Sequence, residues 1–188
     1  MSKENKREQI LSALAELLPG KRFHEITLDE VAKAAKVGKG TIYLYFHDKE
    51  DLFAEMLCYQ LEQLKQQIAE LAPCSLQTLP PKVYELVNKF IHQHNSSFGS
   101  IGEMASQIAS MSSEQHEQVR QAGKAVLEAL AQVMQNSNPQ WSEAEAEFNA
   151  RTLLWLIDGS ARSSFSDPGN QVLPEDVINF FCRGAMIK

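Results

Sequence analysis

Three features of the sequence predict an all-α fold of about nine helices. Apolar residues recur three and four positions apart through most of the 188 residues, which is the spacing of one helix face. Capping-box pairs, in which Ser or Thr is followed three residues later by Glu or Gln, precede three of these segments. We find no segment that alternates apolar and polar residues as a half-buried strand does.

The first predicted helix covers residues 8–18 and leads into a short connection. Ile10 and Leu14 lie on one apolar stripe of this helix. The Pro-Gly pair at residues 19–20 ends it, because proline lacks the backbone donor that a continuing helix needs. Phe23 then returns to the core, so the N-terminal region is predicted to be a small three-helix domain.

Residues 27–46 are predicted to form two short helices across a tight turn, which is a helix-turn-helix. Thr27 and Glu30 make a capping box at the start of the first helix. In the second helix, Ile42 and Phe46 stand four residues apart and face the core. The rest of that helix presents hydrogen-bond donors, aromatic groups and a glycine: Lys39, Gly40, Thr41, Tyr43, Leu44 and Tyr45.

Three ordered blocks, residues 26–32, 39–46 and 49–52, give this region a recognisable pattern. Through them, residues 10–57 resemble the DNA-binding domain of the TetR family of bacterial transcriptional regulators. The resemblance implies a homodimer, expected to be a repressor, that binds a pseudo-palindromic operator and releases it when a small molecule binds. Two positions depart from the family pattern, which commonly has Gly in place of Lys36 and Ser in place of Gly38.

The resemblance also implies which side chains contact double-stranded DNA. Base contacts are assigned to Lys39, Gly40, Thr41 and Leu44, and phosphate contacts to Thr27, Tyr43, Tyr45 and Lys49. Lys49 stands at the start of the next predicted helix, where a cation is locally unfavourable and an opposing anion would explain its presence.

The remaining helices follow from apolar spacing and from their end signals. They are predicted at residues 48–71, 83–97, 103–110, 112–136, 142–165 and 174–186, with a proline-rich break at residues 73–81. We therefore predict a DNA-binding domain over residues 1–50 and a ligand-binding and dimerisation domain over residues 51–188.

Charge is distributed unevenly along the chain. Residues 1–50 carry nine Lys and Arg against eight Asp and Glu, a net charge of +1, whereas residues 51–188 carry nine against sixteen, a net charge of −7. A near-neutral N-terminal domain is able to present a basic face to DNA while the acidic remainder is repelled by phosphate. The polar N-terminus lacks a secretory signal, so the cytoplasm is the expected compartment.

The sequence offers no pattern that is typical of an enzyme or of a cofactor or metal site. Cys58, Cys74 and Cys182 are odd in number and far apart, so we predict unpaired thiols, although a redox-sensing role stays open. His92 and His94 are two residues apart and point about 200° away from each other on a helix. There is no glycine-rich phosphate loop.

Two further groups of apolar residues suggest binding surfaces in the C-terminal domain. Candidates for a pocket that takes a mostly apolar ligand are Tyr59, Phe90, His94, Phe98, Met104, Gln107, Met111, Trp155, Asp158 and Arg162. Candidates for an isologous dimer interface are Phe148, Leu153, Phe165, Ile178 and Phe181. An alternative function is that of an architectural or interaction protein that binds DNA without any inducer; dispersed rather than promoter-specific genomic binding would distinguish it.

Overall fold

The computed structural model describes residues 3–18, 21, 23–98, 110–166 and 172–185, and these residues confirm the all-α prediction. Within them lie eight α-helices, no strand, and a short 3-10 turn at Phe23–Glu25. The helices are α1 (Lys3–Leu17), α2 (Leu28–Ala34), α3 (Lys39–Tyr43), α4 (Lys49–Ala69), α5 (Leu79–Phe98), α6 (Ser113–Ser137), α7 (Glu143–Ser166) and α8 (Pro174–Ala185). The predicted helix at 103–110 falls, except for Ser110, outside the described residues.

The helix starts follow the capping signals in the sequence. At α6, the Ser112 hydroxyl accepts the Gln115 backbone N–H at 3.2 Å, while the Gln115 side chain accepts the Ser112 N–H at 2.8 Å. Ser142 and Glu145 repeat this arrangement at α7, with distances of 3.3 and 2.9 Å. These reciprocal bonds satisfy backbone donors that have no partner inside the helix.

The chain divides into two compact units. The first comprises Met1–Leu61 with Gln93–Gly123, and the second comprises Glu62–His92 with Lys124–Lys188. The predicted boundary between residues 50 and 51 falls within the first unit, so the division into domains stays a prediction.

The first unit is built around one apolar cluster. It joins buried side chains of α1, α2, α3 and α4, with Met111 from a later segment of the chain. Its fully buried members include Ile10, Leu14, Ile42, Phe46, Leu52, Phe53 and Met56. Ile42 of α3 and Phe46, three residues after that helix, both enter this cluster, so the opposite face of α3 is held toward solvent.

The second unit has its own buried apolar side chains. They include Leu64, Ile68, Val83, Val87, Leu130, Met134, Leu153, Ile157, Val177 and Phe181. Burial of this many large apolar side chains is the main stabilising contribution to such a unit, at roughly 1.5–3 kcal/mol for each fully buried side chain. Within the described part of the chain, no helix combines the length and the apolar character needed to cross a membrane.

Candidate nucleic-acid interface

The turn from α2 to α3 is closed by local backbone hydrogen bonds. The Val37 N–H donates to the Ala32 carbonyl at 2.9 Å, and the Lys36 N–H donates to the Lys33 carbonyl at 3.2 Å. This pair of bonds is a Schellman motif, which requires a left-handed residue just beyond the helix. Lys36 occupies that position with φ of 52°. A lysine therefore takes the conformation in which the resembled family commonly has glycine.

One face of α3 and of the residues that follow it packs in the core, and the other face is exposed to solvent. Ile42 is fully buried and Phe46 nearly so, whereas Tyr43 is 55% and Leu44 78% exposed. Two large side chains are thus exposed to solvent where this five-residue helix ends, Tyr43 as its last residue and Leu44 as its C-cap. Exposed apolar groups on a well-anchored short helix are typical of a contact surface rather than of a core.

Gly40 has no packing role in the structure. A Cβ atom built on this residue meets nothing within 4 Å, so the fold itself does not require glycine here. Glycine in a helix costs about 1 kcal/mol relative to alanine. Its presence favours the predicted role, in which a bare backbone allows close approach of a base edge or a phosphate.

Two of the predicted phosphate contacts are partly engaged within the protein. The Thr27 hydroxyl accepts the Glu30 N–H at 3.3 Å and donates to the Glu30 carboxylate at 3.1 Å, as the predicted capping box requires. Tyr45 is half-buried and packs against the apolar cluster of the first unit. Thr41 is also half-buried, so α3 presents less of it than the sequence suggested.

Lys49 lies in an unusual setting at the first turn of α4. Its Nζ donates to the Phe23 carbonyl and lies 4.3 Å from the centre of the Phe23 ring. Partial burial lowers the pKa of the Lys49 ammonium, because the surrounding protein replaces part of its hydration. In this structure the lysine therefore joins the 3-10 turn to α4 instead of extending into solvent.

Acidic residues in the first turn of α2 pair with neighbouring lysines. Asp29 accepts a hydrogen bond from the Lys39 ammonium at 2.8 Å, and Glu30 pairs with Lys21. Hydrogen bonds from Lys21 and then from Thr27 hold the pKa of Glu30 at about 2. The pair with Asp29 raises the pKa of Lys39. Neither pair is evident from sequence patterns, since each joins residues nine or ten positions apart.

The predicted ligand-binding residues do not form one cluster in the described chain. Tyr59 and Met111 belong to the apolar cluster of the first unit, while Phe90 is a half-buried residue of the second unit. On α7, Trp155 is exposed, and the Arg162 guanidinium donates to Asp158 at 2.7 Å. The side chains of His94 and Phe98, and all of Met104 and Gln107, lie outside the described residues.

The outer faces of α7 and α8 form a second exposed surface, in the second unit. Phe148, Trp155 and Phe180 are 67%, 68% and 70% exposed. A groove of about 420 Å³ is lined by Trp155, Leu156, Gly159, Ser160, Val172, Asp176, Val177 and Phe180. We call this surface the C-terminal apolar face; it consists of the groove residues and Phe148.

The structure corrects two of the predicted interface residues. Leu153 has no exposed surface and Phe181 is 4% exposed, so both already pack inside the chain and have no area left to bury against a partner. Ile178 is half-buried and Phe148 is exposed, whereas the Phe165 side chain lies outside the described residues. Trp155 and Phe180, which are exposed on the same two helices, were not among the predicted interface residues.

A two-helix unit of this geometry, with a short, outward-facing second helix, is a helix-turn-helix domain of the DNA-binding type. Residues 10–56 match the family model for bacterial regulatory proteins of the tetR family. The fatty acid metabolism regulator protein of Bacillus subtilis is 38% identical over 74 residues, which cover 37% of this chain and 38% of that protein. The chain thus matches well under half the length of this curated relative.

Two solved structures share the fold over nearly the whole chain. One is a protein of Mesorhizobium loti described as a TetR-family regulator, with a TM-score of 0.67, 16% identity and coverage of 98% and 95% of the two chains. The other is FadR of Bacillus subtilis in complex with stearoyl-CoA, with a TM-score of 0.59, 19% identity and coverage of 94% and 98%. Residues 10–56 thus carry the DNA-binding domain of the tetR family, and the chain as a whole shares the fold of these two structures.

Proposed function

We propose that this protein is a homodimeric repressor that reads a pseudo-palindromic operator with α3 and releases it when a small, mostly apolar ligand binds. The observation that carries the proposal is the exposure of Tyr43 and Leu44 at the end of α3, while Ile42 and Phe46 anchor this segment in the core. A surface so built, next to the basic Lys39, suits the major groove, whose base edges offer both acceptors and thymine methyl groups. The compartment of its action is the cytoplasm.

Contacts to DNA divide into two groups in this proposal. Lys39, Gly40, Thr41 and Leu44 approach base edges, and Thr27, Tyr43, Tyr45 and Lys49 hold phosphates. The arrangement of Lys49 supports a phosphate role, because the cost of its partial burial is removed when the ammonium turns from the Phe23 carbonyl to an anion. The Phe23 carbonyl then keeps another partner, the Ile26 N–H at 3.2 Å.

Dimerisation is proposed to occur through the C-terminal apolar face. Trp155 and Phe180 flank a groove that carries few polar groups. Solvent-exposed aromatic residues of this size favour burial against a partner. A second copy related by a two-fold axis would offer the same surface, and two linked α3 helices would then meet two half-sites.

A fatty acyl thioester of coenzyme A is the first ligand class to test. The support is that a protein of the same fold binds stearoyl-CoA, and that a protein 38% identical over part of the chain is a fatty acid metabolism regulator. By linkage, such a ligand and the operator must weaken each other's binding by the same factor. Calorimetry that shows equal stearoyl-CoA affinity with and without operator would exclude acyl-CoA as the inducer.

Selection from a random-sequence duplex pool by the full chain tests the DNA-binding proposal. We expect a selected site with two inverted half-sites centred about 34–36 Å apart, one helical turn, or a multiple of that spacing. Recovery of no preferred sequence would refute operator recognition and favour sequence-independent binding.

Gly40→Ala then tests whether α3 is the reading element. The substitution is expected to raise the free energy of unfolding by up to about 1 kcal/mol but to weaken binding to the selected site. Gly123→Ala is the matched control, because its Cβ also meets nothing within 4 Å and it lies on α6. If Gly40→Ala binds the site as tightly as Gly123→Ala does, the backbone at Gly40 does not approach DNA.

A further inference from the structure

The Lys39 ammonium is paired within the protein on the surface that faces DNA in the proposed function. Its side chain is 49% exposed and that of Asp29 is 68% exposed, and the two charged groups are 2.8 Å apart. Lys39 is the first residue of α3, where the helix dipole disfavours a cation. The Asp29 carboxylate compensates for this, and it also fixes where the ammonium lies.

The pair is strong enough to orient Lys39 and weak enough to open. An exposed ion pair favours its closed form by only about 1.4- to 5-fold. A good base contact in the major groove improves binding by about 5- to 150-fold. A correctly placed base therefore readily displaces Asp29 from the Lys39 ammonium. A salt-screened phosphate contact on arbitrary DNA is about as favourable as the ion pair, so it displaces Asp29 only in part.

A neighbouring pair shows the same arrangement. Lys21 lies in the connection before α2 and pairs with Glu30, which adjoins Asp29 in the first turn of that helix. Two lysines of this surface are thus held by carboxylates of a single helical turn. In the DNA-free protein, the positive charge of the surface is partly neutralised from within.

We propose that Asp29 is a positioning residue for DNA recognition, whose carboxylate holds the Lys39 ammonium so that it adds little to binding of arbitrary DNA and is released by the correct base. This inference rests on the proposed operator binding. It gives a function to an acidic residue at a DNA-facing surface, where a carboxylate alone would only repel phosphate. Its consequence is a gain in specificity rather than in affinity.

Asp29→Asn removes the charge and keeps the size of the side chain. We expect it to bind a random-sequence duplex pool at least about threefold more tightly than the parent protein at about 50 mM salt, because one further lysine per protomer becomes available for phosphate. The slope of log affinity against log salt should steepen by up to about 0.9 per protomer, which reduces the advantage by up to about 3.5-fold per protomer between about 50 and 200 mM. Affinity for the selected operator should rise less, so the specificity ratio falls.

Two further variants separate this role from others. Glu147→Gln removes a carboxylate that pairs with Arg151 on α7, and it should leave both affinities unchanged despite the same change in net charge. In a Lys39→Ala background, Asp29→Asn should no longer strengthen binding to the random pool. If the gain persists there in full, Asp29 acts by direct repulsion of phosphate and the positioning role is refuted.

The result also distinguishes the inference from the proposed function. If the parent protein selects an operator but Asp29→Asn binds the random pool no more tightly than Glu147→Gln, the inference fails alone. If the parent protein selects no sequence at all, the proposed function fails first. Circular dichroism and thermal unfolding of each variant confirm that the compared proteins are folded.

Discussion

Helix α3 and the C-terminal apolar face both expose large apolar side chains, yet they differ in construction. The N-terminal surface, with Tyr43 and Leu44, lies on twenty consecutive residues whose shape is set by a capping box and a Schellman turn. The C-terminal surface, with Trp155 and Phe180, depends on two helices, α7 and α8, that pack on each other. One surface is built by local interactions and the other by tertiary packing.

The chemical surroundings of the two surfaces also differ, and they indicate different partners. Lys39 and the bare backbone of Gly40 accompany Leu44, which suits a polyanion with readable base edges. Gly159 and Val172 accompany Trp155 and Phe180, with Asp176 as the one ionisable residue among the lining residues. The lining of this groove offers no cation to phosphate and favours an apolar partner, so the exposure of apolar side chains does not by itself identify what a surface binds.

Of the substitutions that test this comparison, Phe180→Asp is expected to have the largest effect on operator affinity. A charge in the groove should block dimerisation, so that the two DNA contacts are no longer linked and operator affinity falls by about 10²- to 10⁴-fold. Sedimentation measures the oligomeric state, and circular dichroism checks that the chain remains folded. Phe181→Asp is unsuitable for this purpose, because Phe181 is buried inside the chain and a charge there would disrupt the fold.

Asn179→Asp is the matched control for Phe180→Asp. Asn179 is an exposed residue of α8 that does not line the groove, so the substitution adds the same charge on the same helix. It should remain dimeric and bind the operator as the parent protein does. A parent protein that is already monomeric at micromolar concentration, or a dimeric Phe180→Asp variant, would show that this face is not the interface.

Lys49→Met tests a residue that contacts Phe23, 26 positions away in the sequence, and whose proposed role is to bind a DNA phosphate. Methionine retains the packing over the Phe23 ring, and the Phe23 carbonyl keeps the Ile26 N–H. Stability should therefore change by less than about 1 kcal/mol. Binding to operator and to random duplex should weaken by similar factors, with the salt slope reduced by about 0.9 per protomer.

The pH dependence of stability gives Lys49→Met an independent readout. Because burial lowers the pKa of Lys49 in the folded protein, the unfolded chain binds more protons between that lowered pKa and the ordinary value of 10.5. Stability of the parent protein should then rise with pH across that interval, by the usual linkage. The variant should lack this rise. A loss of binding confined to certain DNA sequences would contradict the phosphate role.

Features that depend on neighbouring residues were predictable from the sequence. The capping boxes at Thr27, Ser112 and Ser142 are present as expected, since each depends only on residues within a stretch of four. The possible strain at Lys36 also followed from the pattern, because the end of a helix before a tight turn calls for a left-handed residue. The all-α class and most helix bounds rest on the same short-range signals.

Features decided by tertiary packing were not predictable in the same way. Leu153 and Phe181 differ little in chemistry from Trp155 and Phe180, and spacing alone does not tell which face of an amphipathic helix meets its own chain. The contact of Lys49 with Phe23 joins residues 26 positions apart. The Asp29 pair with Lys39 depends on the angle at which α2 and α3 cross, which only the structure provides.

Lys36→Gly is expected to have the smallest effect, and it tests the local construction of the N-terminal surface. A non-glycine residue in the left-handed region costs about 1–2 kcal/mol, and glycine relieves this cost while it adds freedom to the unfolded chain. We expect a net gain of about 1 kcal/mol in the free energy of unfolding, or about 2–4 °C in Tm for a chain of this size.

Lys36→Ala is the control, because it removes the same charge and retains the Cβ atom; it should be no more stable than the parent protein. Thermal unfolding in which the glycine and alanine variants coincide would show that the turn carries no strain. The angle between α2 and α3 would then be held by the packing of Ile42 and Phe46 rather than by the turn.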